Sequence, residues 1–423
     1  MKQAISGQQS AESIESIEFV ESIGFVESVE SANLSLFSSS DSIDSIDPMD
    51  PTDPMKLKAD SSLRSNKMRE TNNLHVVDTT PLITPTQLKR ELSISERAAD
   101  TVASTRDAIR AILQGEDPRL LAVVGPCSIH DVDAARDYAE RLLKVRDEFA
   151  DRLLIVMRVY FEKPRTTTGW KGLINDPHLD GTHDMATGLR LARQLLLDLT
   201  EQGLPAATEM LDPITPQYLA DLVSWTGIGA RTSESQTHRE MASGLSMPVG
   251  FKNSTDGSIA PAVNAISAAL HPHRFLGIDS EGQVSVVSTT GNPNCHLVLR
   301  GGSHTPNYDP ESVGIATTVL RQANLYTRLM VDCSHGNSQK DFRKQTMALS
   351  SVAAQIRAGN SHLMGVMIES NLVAGKQAFP VPHSQLVYGQ SITDPCVDFP
   401  TTHTMLRELA EAAAHIRVPV AAD

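Results

Sequence analysis

LLAVVGPC, residues 120–127, is an unbroken apolar run that stops at a Gly-Pro step and hands over to a thiol. A run without polar alternation is what a strand covered on both faces requires, and such strands belong to parallel sheets. Seven further runs follow: LLIVMRVYFEK (153–163), PAATE (205–209), IGAR (228–231), PVGFK (248–252), HLVLR (296–300), LMVDCSH (329–335) and LMGVMIE (363–369). Between them lie stretches with helical spacing, among them DVDAARDYAERLLKVRDEFA, MATGLRLARQLLLDLTEQG and QKDFRKQTMALSSVAAQIRAG. Alternating strands and helices form βαβ units, and eight of them predict a (β/α)8 TIM barrel over 119–416. One interruption, FLGIDSEGQVSVVSTTGNPN (about 275–294), predicts an inserted hairpin turning at Glu281-Gly282. The runs end at Cys127, Lys163, Glu209, Arg231, Lys252, Arg300, His335 and Glu369. A barrel points all its strand ends at one face, so these ionisable groups are expected to converge there.

Outward from the barrel, residues 67–118 predict an N-terminal helical/strand extension serving regulation or oligomerisation. Thr84 and Pro85 supply an N-cap and first-turn proline, and Ser93 with Glu96 matches a capping box for a second helix that stops at Gly115. Residues 1–66 repeat as ESIESIEFVESIGFVESVES and DSIDSIDPMDPTDP, with twelve acidic residues against four basic ones. Serine-rich, like-charged sequence of this kind predicts disorder. Its regular aspartates lack the glycine and terminal glutamate of an EF-hand loop. Residues 417–423 are read as a C-terminal tail.

The 423 residues carry a formal charge of −14, which argues against a nucleic-acid partner, and no apolar run approaches the about eighteen residues of a membrane span. Four cysteines in a chain this long are not a disulfide framework, and a cytoplasmic location is expected.

Two chemistries separate among the converging residues. Cys127, His335 and Glu369 at strand ends, with Asp394 in the following loop, offer sulfur, nitrogen and oxygen donors. That mixture suits one divalent ion of Mn, Fe, Co or Zn better than Mg or Ca. Arg158, Lys163, Arg165, Arg231, Lys252 and Arg300 form a cationic set that asks for phosphate or carboxylate. Lys252 is open to two readings, Schiff-base nucleophile or phosphate contact, and its arginine neighbours favour the second. Glu209 is read as a proton acceptor, a water-positioning group or a partner of the arginines.

GPCSIHD (125–131), MRVYFEKPRTT (157–167), GWKGLINDPH (169–178), GARTSESQ (229–236), GFKNSTDG (250–257), LRGG (299–302), DCSHGNS (332–338), MIES (367–370) and SITD (391–394) closely resemble type I 3-deoxy-D-arabino-heptulosonate-7-phosphate (DAHP) synthases. The resemblance spans about 72–416. It implies condensation of phosphoenolpyruvate with erythrose 4-phosphate, with a metal on Cys127, His335, Glu369 and Asp394. It further implies phosphoenolpyruvate among Arg158, Lys163, Glu209, Arg231, Lys252 and Arg300, and erythrose 4-phosphate at Arg165 and Thr166. Lys163, Glu209 and His335 are the expected catalytic groups, Lys163 as leading proton donor with a water on the metal as rival. An aromatic inhibitor is implied at Asp212, Pro216, Gln217, Leu245, Ser246, Phe275 and Gly277. Glycine rather than serine at 277 resembles the tyrosine-sensitive members, and a homodimer or homotetramer is implied. The alternatives are a 3-deoxy-octulosonate 8-phosphate synthase-like enzyme and a catalytically silent aromatic amino acid sensor.

Overall fold

The computed structural model describes residue 69 and residues 71–416, so the expectations for 1–66 and 417–423 lie outside the described residues. The chain divides into two units. In Met1–Val76 the described residues 72–75 form a bend and a turn, and Val77–Asp423 holds the elements that follow.

In that second unit eight parallel strands close a barrel: β1 (Leu120–Gly125), β2 (Leu153–Arg158), β3 (Ala206–Glu209), β4 (Trp225–Ile228), β5 (Val249–Lys252), β8 (Cys295–Leu299), β9 (Leu329–Asp332) and β10 (Leu363–Glu369). Each follows its predecessor round the ring, except that the antiparallel hairpin β6 (Arg274–Ile278) and β7 (Val284–Ser288) stands outside it between β5 and β8. The fold class is as expected. At the seam where β10 meets β1, a Cβ on Gly365 would lie 2.0 Å from the Leu121 carbonyl oxygen, so only glycine lets the two backbones approach there.

Several strands stop short of the ends of their apolar runs. β2 ends at Arg158, where it pairs with Ala207 of β3, and only the Val159 N–H bonds β3 beyond that point, to the Ala207 carbonyl at 2.8 Å. Lys163, Arg231, His335 and Cys127 therefore sit on loops two or more residues past a strand end, where backbone direction is free to aim them inward.

Helices α3 (Val132–Glu148), α4 (Met185–Glu201), α5 (Thr215–Leu219), α6 (Gln236–Gly244), α7 (Ala260–Ala269), α8 (Pro310–Gln322), α9 (Gln345–Arg357) and α10 (Phe399–Ala413) follow successive strands. Their apolar faces join the outward residues of the strands in one core, with Tyr138, Leu142, Leu195 and Leu196 among its members. A second core fills the barrel itself, from Leu121, Val123, Val156, Trp225, Val298 and Met330.

The extension closes the floor of that inner core. In α1 (Pro85–Glu91), Thr84 caps Gln87 as expected. In α2 (Glu96–Gln114) the cap is Ser95, accepting from the Ala98 amide, and not Ser93: the helix starts at Glu96, so Ser95 is the residue just before it and reaches a free N–H of its first turn. Ile109, Ile112 and Leu113 of α2 pack into the inner core, which puts a hydrophobic plug at one end. The chemistry is left to the other end. Among the described residues no helix is long and apolar enough to cross a membrane.

Candidate active site at the barrel mouth

The turn after β1 brings Cys127, fully buried, to within 3.5 Å of an Asp394 carboxylate oxygen, Sγ to Oδ2. Glu369 arrives from the end of β10, and one donor atom each from Cys127, Glu369 and Asp394 lie within 4.8 Å of one another. His335 stands at the edge of this trio, with Nε2 3.8 Å from Glu369 Oε1. Its backbone is left-handed, φ +57°. A non-glycine residue costs about 1–2 kcal/mol there, and such strain is found where function requires it. Three of the four expected ligands thus form one cluster, and His335 borders it at Glu369. The set of one thiol, one imidazole and two carboxylates is chemically suited to a borderline divalent ion.

The neighbours set the charge. Burial first, then Glu369, pushes the Cys127 thiol up to about 12, with Lys163 pulling the other way. Lys163 Nζ lies 3.2 Å from both the Cys127 carbonyl oxygen and its Sγ. Burial disfavours the Lys163 ammonium, but Cys127, Glu369 and Asp394 more than compensate and hold it above the ordinary lysine range. Burial likewise opposes the Asp394 carboxylate, while Lys163 and His335 keep it below the usual carboxylate range.

A cavity of about 290 Å³ opens beside the trio, walled by Lys163, Arg165, Arg231, Lys252 and Arg300 with Thr166, Glu209, His335 and Asp394. One expected cation is absent from its wall. Arg158 is fully buried beneath: it donates to Glu369 Oε1 at 3.2 Å and to Met367 Sδ at 2.8 Å, and it lies 3.9 Å over the Tyr160 ring. The cations in the wall differ in kind. Lys163 and Lys252 have acidic partners, the latter at 2.8 Å from Asp332. Arg231 and Arg300 donate only to the backbone oxygens of Pro164 and Gly301 among the described residues. Arg165 packs over Gly169, whose φ of +140° and missing side chain make room for the guanidinium. The buried Oε1 of Glu209 also has no partner among the described residues.

A larger cavity, about 960 Å³, lies by the plugged end between Gly115, Tyr326, Arg328 and Ala414. It has no thiol and no carboxylate in its wall, so the convergence of charge and not volume selects the mouth.

Several residues that matter were not singled out in the sequence. Asp332 is fully buried, and burial opposes its charge, yet Lys252 and His335 hold it well below the carboxylate range. An acid inside the apolar run LMVDCSH was the available signal. Gln345 fixes Glu369 by bonding its backbone N–H and carbonyl, both at 2.9 Å, a contact across 24 positions that no local pattern shows. Glu162 accepts from the Asp212 amide and the Thr215 hydroxyl, each at 3.2 Å, and burial followed by Asp212 pushes it up to about 8.

Of the seven residues expected to hold an inhibitor, Pro216, Gln217, Leu245 and Ser246 line one cavity of about 480 Å³, closed on its far side by Ala99, Val102 and Ala103 of α2. Asp212, Phe275 and Gly277 are not in its wall. On the hairpin, a Cβ at Gly277 would meet Val287 Cγ2 at 2.8 Å.

Comparison with known proteins shows the family and the fold. Residues 91–407 match the DAHP synthetase I family. The chain is 56% identical over 338 residues, 80% of its length and 95% of the relative's, to the Tyr-sensitive phospho-2-dehydro-3-deoxyheptonate aldolase of Escherichia coli (strain K12). It is 53% identical over 343 residues, 81% of its length and 97% of the relative's, to the Phe-sensitive protein of the same strain. The solved phospho-2-dehydro-3-deoxyheptonate aldolase from Francisella tularensis SCHU S4 superposes with a TM-score of 0.79 at 50% identity, covering 81% of this chain and 99% of that one.

Proposed function

The chain belongs to the DAHP synthetase I family, and on that footing we propose that its barrel mouth joins phosphoenolpyruvate to D-erythrose 4-phosphate, giving DAHP and inorganic phosphate, the entry step of the shikimate pathway. It is a transferase of the 3-deoxy-7-phosphoheptulonate synthase class. One observation carries the site assignment: a sulfur, nitrogen and oxygen donor set opens onto a small cavity walled by five cations.

Arg231, Lys252 and Arg300 face the phosphate and carboxylate of phosphoenolpyruvate, and Arg165 with Thr166 faces the phosphate of the aldose. Arg158 serves from below, by holding Glu369. Cys127, His335, Glu369 and Asp394 are the groups to hold one divalent ion of the Mn, Fe, Co or Zn type, which when bound supplies Lewis acidity toward the aldehyde. C3 of phosphoenolpyruvate forms the new bond to the aldehyde carbon, and Lys163, charged at neutral pH, gives a proton to the aldehyde oxygen. Water then adds at C2. Glu209, whose free oxygen lacks a donor, takes the proton from that water, and the C2–O bond to phosphate breaks. Three guanidiniums without acidic partners among the described residues offset two phosphates and a carboxylate in a confined space.

Residues 67–118 complete the reading as a regulatory and oligomerisation extension, supported by the α2 wall of the second cavity. Tyrosine is the proposed inhibitor there, supported by similarity to a Tyr-sensitive relative. The outer face of the hairpin carries Leu276, Val284 and Val286, between 66% and 82% exposed, an apolar surface that supports a homodimer or homotetramer. A cytoplasmic location is kept, supported by four buried free thiols.

The test is phosphate release from phosphoenolpyruvate with each candidate aldose phosphate, with and without metal, tyrosine and phenylalanine. Release with erythrose 4-phosphate only, lost in chelator and inhibited by tyrosine, is the expected result. Release with arabinose 5-phosphate instead, or no release from metal-loaded protein, overturns the reading. Inhibition by phenylalanine alone overturns the inhibitor.

A further inference from the structure

The two halves of the mouth meet at one atom. Asp332 Oδ2 lies 2.8 Å from Lys252 Nζ and 2.9 Å from His335 Nδ1, so a cation of the anion-binding wall and an expected metal ligand share the same carboxylate oxygen. The other oxygen, Oδ1, is occupied by the Ser334 amide and hydroxyl, both at 3.0 Å. The Ser334 hydroxyl also lies 2.6 Å from His335 Nδ1. His335 Nδ1 faces this carboxylate, which only accepts, so a proton placed on Nδ1 serves Asp332 and leaves the lone pair of Nε2 on the side of Glu369.

We propose that Asp332 is a positioning residue through which binding of the metal and binding of the phosphoenolpyruvate anion favour one another. The inference rests on the functional reading above. His335, with an ion held beside Glu369, would become a stronger donor at Nδ1 and would draw Asp332 toward itself. Lys252 then loses part of its hold on Oδ2, and its ammonium turns to the incoming anion. In the other direction, an anion that attracts Lys252 leaves Asp332 wholly to His335. The coupling is reciprocal by linkage, and couplings of this kind amount to roughly 5–150-fold in affinity. No bond forms or breaks in it, and Asp332 touches neither substrate.

The test uses the full-length chain and Mn²⁺ as probe, with free Mn²⁺ counted by electron paramagnetic resonance, with and without saturating phosphoenolpyruvate. Wild type is expected to bind Mn²⁺ at least about fivefold more tightly with phosphoenolpyruvate present. In Asp332→Asn the affinity for Mn²⁺ alone is expected to fall by about 10–100-fold and the effect of phosphoenolpyruvate to shrink to within about twofold. Ser334→Ala removes a hydroxyl from Asp332 Oδ1 and from His335 Nδ1 but leaves Oδ2 between Lys252 and His335, and is expected to keep the linkage. If Asp332→Asn does not fold, Lys252→Met takes its place: with Asp332 left to His335, it should bind Mn²⁺ without phosphoenolpyruvate as tightly as wild type does with it. An unlinked wild type, an Asp332→Asn protein with wild-type linkage, or a Lys252→Met protein with the affinity of unliganded wild type overturns the proposal. If wild type binds neither Mn²⁺ nor phosphoenolpyruvate, the functional reading beneath it fails instead.

Discussion

Glu369 and Asp394 are offered as ligands of the same ion, yet removing their charges should have consequences of very different size for the fold. Glu369 is paired with Arg158 at 3.2 Å, and both side chains are at most 2% exposed. At an effective dielectric of about 20, unit charges at that distance attract by about 5 kcal/mol, and loss of one member of a buried pair typically costs about 3–5 kcal/mol. The Tyr160 ring at 3.9 Å still faces Arg158 after the substitution, so Glu369→Gln should cost about 3 kcal/mol, the low end of that range. Asp394 forms no ion pair among the described residues and lies exposed at the mouth, so Asp394→Asn should change stability by less than about 1 kcal/mol. The measurement is urea unfolding in chelator, followed by the fluorescence of Trp225, which is buried inside the barrel. Mn²⁺ binding is measured in parallel and should be lost in both variants. Equal stability of the two variants would refute the argument that Arg158 is a charge held in place by Glu369.

Three further outcomes are expected. His335→Ala should abolish metal binding and phosphate release together, and full activity in metal-free protein would rule the scheme out. Glu162→Gln should gain stability relative to wild type as pH rises. The folded carboxyl titrates near 8 and the unfolded one about four units lower, so the folded state binds the extra proton between them. Wild type therefore weakens across about pH 4.5 to 8, an amide does not, and a difference that is flat with pH contradicts the assignment. Ile112→Ala should cost about 2–5 kcal/mol by opening a cavity in the floor plug, with KM values unchanged, and a KM shift comparable to the stability loss would show that floor and mouth are not independent.

The barrel was legible because both faces of every ring strand are covered, which removes the polar alternation of LLAVVGPC and its seven successors. The candidate site was legible where a charge terminates an apolar run, as at Lys252, Arg300 and Glu369. It was less so where a charge interrupts one. Both Asp332 and Arg158 lie within runs: Asp332 was judged by the run's end, and Arg158 was read as an anion-binding cation with no acid of its own, although a charged residue that folds to full burial must have a partner. Gln345 and Glu162 escaped for another reason: their partners are fixed by tertiary contact across 24 and 50 positions, which no local spacing encodes. The Ser93 cap failed because two serines stood within reach of one helix start, and only backbone geometry distinguishes them.

The division between lysines and arginines at the mouth follows from the same physics. A buried ammonium without an acid is costly to keep charged, and both lysines sit where acids already hold them: Lys163 beside the ligand cluster, Lys252 on Asp332. Their charge is present before any substrate arrives, but their attraction is partly spent. Arg231, Arg300 and Arg165 have no acidic partner among the described residues. A guanidinium stays protonated even where burial lowers its pKa, as it does for Arg300, so an unpaired arginine can wait for an anion where an unpaired lysine would shed its proton. The arginines accordingly suit the groups that carry fixed charge through the reaction, and the lysines the positions where a proton must be supplied or released under the control of a neighbouring acid. The proposed roles of Lys163 in proton transfer and of Lys252 in linkage follow this division.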